Sequence, residues 1–209
     1  IDVSLQTTDV ISCGSDSFSL TASAASGVIN WYDDISLQNL LDTGSFFTTP
    51  ILNTTTSYFA QSVYEFDAMY AGPTDNTIGS GSFNQGNNYM IFDTYSLSKL
   101  VSVLVYANSD GYRTIELRNS SNIVLEDTTV FIPYSPNGIR VYINFDLNVQ
   151  NNMQLGLSSF NNDLYRNNSG AVFPYSIPSN ISITGASNQS TQDNWYFFYD
   201  WEVRKRSCE

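Results

Sequence analysis

Asp163-Leu164-Tyr165-Arg166-Asn167-Asn168-Ser169-Gly170 sets a carboxylate, a phenol, a guanidinium and two amides side by side. In a loop, such a set supplies a stacking ring, bidentate donors and acceptors, the equipment for reading hydroxyl groups. The competing reading is a hairpin closed by Asn-Asn-Ser-Gly turn chemistry, with Arg166 paired to a carboxylate. Further on, Trp195-Tyr196-Phe197-Phe198-Tyr199-Asp200-Trp201 packs aromatic residues consecutively. As a strand, it turns Trp195, Phe197, Tyr199 and Trp201 to one face and Tyr196, Phe198 and Asp200 to the other. Rings on both faces cannot all meet water. One reading is a central strand packed on both sides; the other keeps Trp195 or Tyr196, near the strand entry, as a platform for the apolar C–H face of a sugar.

Other chemistries find less support. The chain has no histidine, which removes the commonest general base and metal ligand together, and leaves a Ser or Cys nucleophile without its usual partner. Glu116, Glu126 and Glu202 could serve glycoside hydrolysis only if two stood at a set separation, and surface solvation is by far the better account of them. Calcium prefers oxygen ligands. Asp75, Asp93 and Asp200 could supply them, as could Asp33 and Asp34, but no run has the spacing of a dedicated calcium loop. The expectation is therefore a non-catalytic protein with no cofactor other than calcium. Asn-x-Ser/Thr sequons at Asn53, Asn119, Asn167, Asn180 and Asn188, and Asp127-Thr128-Thr129 as an O-glycosylation signal, are low-specificity matches in so Asn- and Ser-rich a chain.

The elements that position these groups read as strands. Of 209 residues 42% are hydrophobic, with 14 Tyr and 13 Phe, and only 13% are charged. A neutral polar surface of Ser, Thr, Asn and Gln is the style of extracellular β modules, and the secreted or cell-surface side is expected. A net charge of −12 with eight Lys and Arg argues against nucleic acid, whose phosphates need a cationic stripe. No run reaches membrane-span length, so no membrane insertion is expected. Residue 1 is Ile, so the chain is expected to be a mature or excised segment. In a secreted setting the two cysteines, Cys13 and Cys208, are expected to pair in one disulfide rather than stand as free thiols. A disulfide closing so long a loop would be worth about 5 kcal/mol in the chain-entropy model.

Short alternating runs at 17–22, 28–32, 45–48 and 56–61, separated by Gly, Asn and Pro, have the rhythm of an immunoglobulin-like sandwich, with Trp31 as its buried tryptophan. A second strand series runs from about 89 to 203 and has the size of a jelly roll. Because residues 1–65 are too few for a complete sandwich and Cys208 follows the second series, insertion is the economical arrangement. It gives residues 1–68 and 204–209 to an Ig-like sandwich, and 69–203 to an inserted one. The fold class expected is all-β: an Ig-like β-sandwich with an inserted larger jelly-roll-like antiparallel β-sandwich.

Cys13-Gly14, Ile29-Asn30-Trp31-Tyr32-Asp33, Leu40-Leu41-Asp42-Thr43-Gly44, Phe47-Thr48-Thr49-Pro50 and Thr54-Thr55-Thr56-Ser57-Tyr58-Phe59-Ala60 resemble the Ig-like modules of Bacteroidota surface proteins, which accompany the sorting domains of type IX secretion. In that family a second Cys follows the last block closely, ahead of a final strand. Its delay to position 208 fits an insertion and implies that the final strand lies beyond this segment. The segments 100–107, 113–118, 163–170 and 196–203 look like a domain that recurs beside such modules in surface adhesins and secreted hydrolases. That resemblance implies a non-catalytic domain and supplies no ligand; the function expected is adhesion or carbohydrate binding, with glycans or neighbouring surface-protein domains as partners. Alternatives are a stalk or filament repeat, joined by strand exchange at an exposed edge, and an accessory domain of a secreted protease. The site residues expected on these grounds are Asp163, Tyr165, Arg166, Asn167, Trp195 and Tyr196.

Overall fold

The computed structural model of the chain describes residues 4–158, 162–187 and 193–208. Strands dominate, and no α-helix occurs among the described residues. The chain divides into two units, residues 1–66 with 206–209, and residues 67–205.

The first unit begins with β1 (Leu5–Thr8), β2 (Ser19–Ala24), β3 (Val28–Tyr32), β4 (Leu40–Thr43), β5 (Phe46–Thr48) and β6 (Phe59–Glu65). One sheet runs β1-β2-β5. The other runs β4-β3-β6, and Arg206–Cys208, the end of β19 (Tyr199–Cys208), adds to β6. Alternation in β2 and β3 turns Ala22, Ile29 and Trp31 inward, where they meet Phe47. Trp31 stacks on Phe47 at 5.8 Å and donates its indole N–H to Gly44 O at 2.9 Å. Phe47 meets Tyr58 edge-on at 4.9 Å. This small core is an Ig-like sandwich built around one tryptophan.

The second unit contains β7 (Met69–Ala71), a 3-10 turn at Asn76–Ile78, β8 (Gly81–Asn84), β9 (Tyr89–Thr94), β10 (Ser98–Ala107), β11 (Gly111–Arg118), β12 (Val124–Ile132), β13 (Ser135–Leu147), β14 (Gln150–Leu157), β15 (Leu164–Asn167), β16 (Tyr175–Ile177), β17 (Ile181–Ala186), β18 (Trp195–Tyr196) and the first part of β19. One antiparallel sheet is β12-β11-β14-β9-β17-β16. In the other, β10 pairs with β13 on one side and with β19 and β15 on the other. There β7 adds to β19, and β8 and β18 add to β15. The sheets approach at one margin, where the Glu126 carboxylate on β12 accepts the backbone N–H of Asp146 on β13 at 3.2 Å.

Between the sheets lies a large apolar core, including Met90, Phe92, Leu100, Val103, Ile115, Leu117, Leu155, Ile183 and Trp201. Phe92 of one sheet meets Trp201 of the other edge-on at 5.2 Å. Each such side chain withdrawn from water contributes roughly 1.5–3 kcal/mol before entropy is counted.

The aromatic run 195–201 is not one strand. Phe197 has φ 64°, Phe198 N–H bonds back to Tyr196 O at 2.7 Å, and the chain reverses between β18 and β19. The Trp195 and Trp201 indoles both donate to Phe198 O, at 2.8 and 2.7 Å. An aromatic turn buried whole in the core replaces the expected two-faced strand.

Candidate functional site

Half of the expected recognition loop at 163–170 is strand. Leu164–Asn167 pairs with β8 on one side and with β10 and β18 on the other, because Leu164 is drawn fully into the core. Asn167 is also buried. Its amide donates to Asn76 O at 3.0 Å and Gly79 O at 2.8 Å, and its Oδ1 accepts from the Tyr199 phenol at 2.8 Å. Gly170, at φ 94°, passes so close to Ile78 that a Cβ would sit 2.0 Å from its carbonyl oxygen. These backbones touch, leaving no cleft between them.

Tyr165 packs edge-on against Phe83 at 5.4 Å, and Arg166 lies 5.7 Å from the Tyr196 ring centre. Asp163, at φ 50°, accepts the Asn108 N–H on its carbonyl at 3.1 Å. Trp195 is 0% exposed and Tyr196 1%. Neither ring offers a face to a sugar, so the platform expectation is corrected for both; Asn167 likewise is a structural amide. Sequence alternation could not show that these rings sit at a turn inside the core.

The acidic candidates are dispersed. Asp75 Oδ1 accepts from the Thr77 hydroxyl and N–H, at 2.6 and 2.8 Å, and these bonds hold its carboxyl below the usual range. Asp93 accepts from Asn152 N–H at 2.7 Å, and Asp200 pairs with Arg140. Asp33 holds the Asn39 amide and Asp34 the Ser36 N–H, both at 2.6 Å. Among the described residues no three His, Cys, Asp or Glu side chains gather where a metal could bind. Cys13 is exposed; the side chain of Cys208 lies outside the described residues.

A different face combines recognition chemistry. Along β11, Arg113, Ile115 and Leu117 point inward, so Tyr112, Thr114 and Glu116 point outward. Register sets Tyr112 opposite Phe131, Thr114 opposite Thr129 and Glu116 opposite Asp127. Tyr112 and Phe131 are 77% and 55% exposed, with ring centres 5.3 Å apart in an edge-on pair. The Thr114 and Thr129 hydroxyls are 2.7 Å apart. Beyond them Arg118, buried, holds Glu116 Oε2 with its Nε at 2.7 Å and with Nη2 as well, while Nη2 also donates to Leu157 O at 2.8 Å.

On the next strand Gln154 stands opposite Arg118 and Gly156 opposite Glu116. A Cβ on Gly156 would lie 3.0 Å from the Tyr89 Cβ and 3.3 Å from Arg118 Nη1; the glycine lets the guanidinium lie flat on the sheet. Gln154 is buried, and its Oε1 accepts no hydrogen bond from the described residues. A buried acceptor without a donor is uncommon and asks for a reason. From Tyr112 to Glu116 the strip extends about 13 Å. It runs from an apolar platform through hydroxyls to a fixed carboxylate–guanidinium pair. The sequence held one signal for it, the alternation of 112–118, but not the register that brings Phe131 alongside.

Residues 3–67 match the family model described as Ig-like domain, CHU_C associated. That stretch is similar to an Ig-like module of the Bacteroidota type, a kind typical of extracellular proteins. The match covers most of the first unit but not its returning segment 206–209, and leaves 68–209 outside it. No curated protein and no solved structure matches the chain. No helix among the described residues is long and apolar enough to cross a membrane.

Proposed function

We propose that the chain is a non-catalytic accessory module of a secreted or cell-surface protein, and that it binds carbohydrate on the outer face of β11 and β12. The observation carrying this reading is the exposed Tyr112–Phe131 ring pair, in line with the Glu116–Arg118 pair and the unpartnered Gln154 Oε1. Sugar rings stack on exposed aromatic faces, while their hydroxyls satisfy fixed donors and acceptors. Glu116 and Arg118 neutralise each other, while exposed Asp127 opposite Glu116 adds a carboxylate that can accept from sugar hydroxyls, so the strip suits a neutral rather than an anionic glycan. On this reading the second unit is the jelly-roll-like sandwich that carries the ligand. The Ig-like unit is its mount, closed by a Cys13–Cys208 bridge and attached to neighbouring surface-protein domains.

The test is a glycan-array screen of the purified chain beside Tyr112→Ala and Phe131→Ala. Binding by the parent chain that is lost in both variants, with circular dichroism unchanged, is the expected result. If neither variant alters the array pattern, the site is wrong; absence of all binding favours a spacer that holds other domains apart.

A further inference from the structure

The opposite face of the second unit repeats this combination. Ser102 on β10 stands between Tyr142 of β13 and Glu202 of β19, and Glu202 stands opposite Tyr70 of β7. These residues form one row across four strands, about 14 Å from Tyr70 to Tyr142. Trp201 and Val203 point into the core, so the row lies on the outer side. Tyr70 and Tyr142 are 55% and 61% exposed.

The floor between them is ionic. Glu202 is 7% exposed; its Oε2 accepts from the Ser102 hydroxyl at 2.7 Å and its Oε1 from Arg204 at 3.2 Å. Arg140 reaches across from β13. Its Nη1 donates to Ser102 Oγ at 2.9 Å and to Asp200 O at 3.0 Å, its Nη2 pairs with the Asp200 carboxylate, and its guanidinium lies 5.6 Å from the Tyr70 ring centre. A purely structural clip looks different here. Arg113, buried where Arg140 is only half-buried, gives all its bonds to the backbone carbonyls of Asn162, Gly111, Ile132 and Ser109. Arg140 instead fixes a carboxylate and an aromatic ring at the water-facing surface. Burying charge on a sheet face costs solvation that only well-placed partners recover.

Two cations and two anions cancel on this floor, and a phenol ring stands at each end. We infer that this face is a second carbohydrate site, taking a neutral glycan chain laid across the strands, so that one module bridges two chains. Phe92 of one sheet packs on Trp201 of the other, so the two faces point away from each other. Bivalence turns weak single contacts into lasting attachment. The ligand class is shared with the reading of the β11–β12 face, but the residues are independent of it.

The experiment is calorimetric titration of the full chain with neutral oligosaccharides of glucan, xylan and mannan. The parent polysaccharides are then mixed with the protein and followed by turbidity. Two oligosaccharides per chain and a turbid mixture are expected. Tyr142→Ala and Tyr70→Ala should each halve the stoichiometry and clear the turbidity, while leaving the site that Tyr112→Ala removes. One oligosaccharide per chain, lost only in Tyr112→Ala, overturns this inference and leaves the first site standing. One per chain, lost only in Tyr142→Ala, overturns the β11–β12 reading and the bridging while keeping this face as the site. No binding by any of these sugars overturns both.

Discussion

The Tyr199 phenol donates to Asn167 Oδ1 at 2.8 Å, with both residues fully buried. Asn167 in turn ties down the carbonyls of Asn76 and Gly79. One amide thus joins β19, β15 and the 3-10 turn. Tyr199→Phe leaves an acceptor unpaired and is expected to cost about 1–3 kcal/mol. Asn167→Ala strands three partners and should cost more. Denaturant unfolding of the two variants checks the order; equal midpoints would show that the amide is not the hub.

The same burial governs alkaline behaviour. Desolvation pushes the Tyr199 phenol well above its ordinary value and raises that of Tyr106 too. A phenol whose folded pKa is raised stabilises the fold fully below its unfolded pKa near 10, and that contribution is lost as pH rises toward the folded value. Tyrosinate absorbance should therefore appear in two stages, the later one, from Tyr199 and Tyr106, arriving together with unfolding. A single smooth titration with the fold intact would contradict the assignment.

Cys13 and the end of β19 belong to the same unit, and the bridge proposed between Cys13 and Cys208 is open to a thiol count. The denatured, unreduced chain should show no reactive thiol, and Cys208→Ser should expose one. Two thiols in the denatured parent chain would remove the bridge.

Much of the architecture can be read in the residues. Trp31 as a buried indole, β2 and β3 by their alternation, and the change of strand series near residue 70 all emerge from periodicity and turn residues. The segment 163–170 misleads because its Asn-Asn-Ser-Gly composition is that of a turn, whereas Leu164 anchors it in the core and strands pair on both sides. The run 195–201 misleads in the opposite sense. Nothing in a series of aromatic residues announces a reversal, yet two indole N–H groups require an acceptor, and a turn at Phe197 presents the Phe198 carbonyl to both. For the outer strip, alternation tells that Tyr112 and Glu116 share a face. Only register tells that Phe131 lies beside Tyr112, and register depends on where the β11–β12 connection closes.

Two main-chain ladders bear on mechanics. In the first unit, Val63–Glu65 of β6 pairs antiparallel with Arg206–Cys208; in the second, Met69–Ala71 pairs with Trp201–Val203. The strand leaving and the strand returning are therefore held together twice by main-chain bonds. Tension applied along the chain would cross at the first of these ladders and bypass the 67–205 insert. The aromatic core of residues 67–205 would then stay unstretched while the ladder between β6 and the end of β19 carries the load.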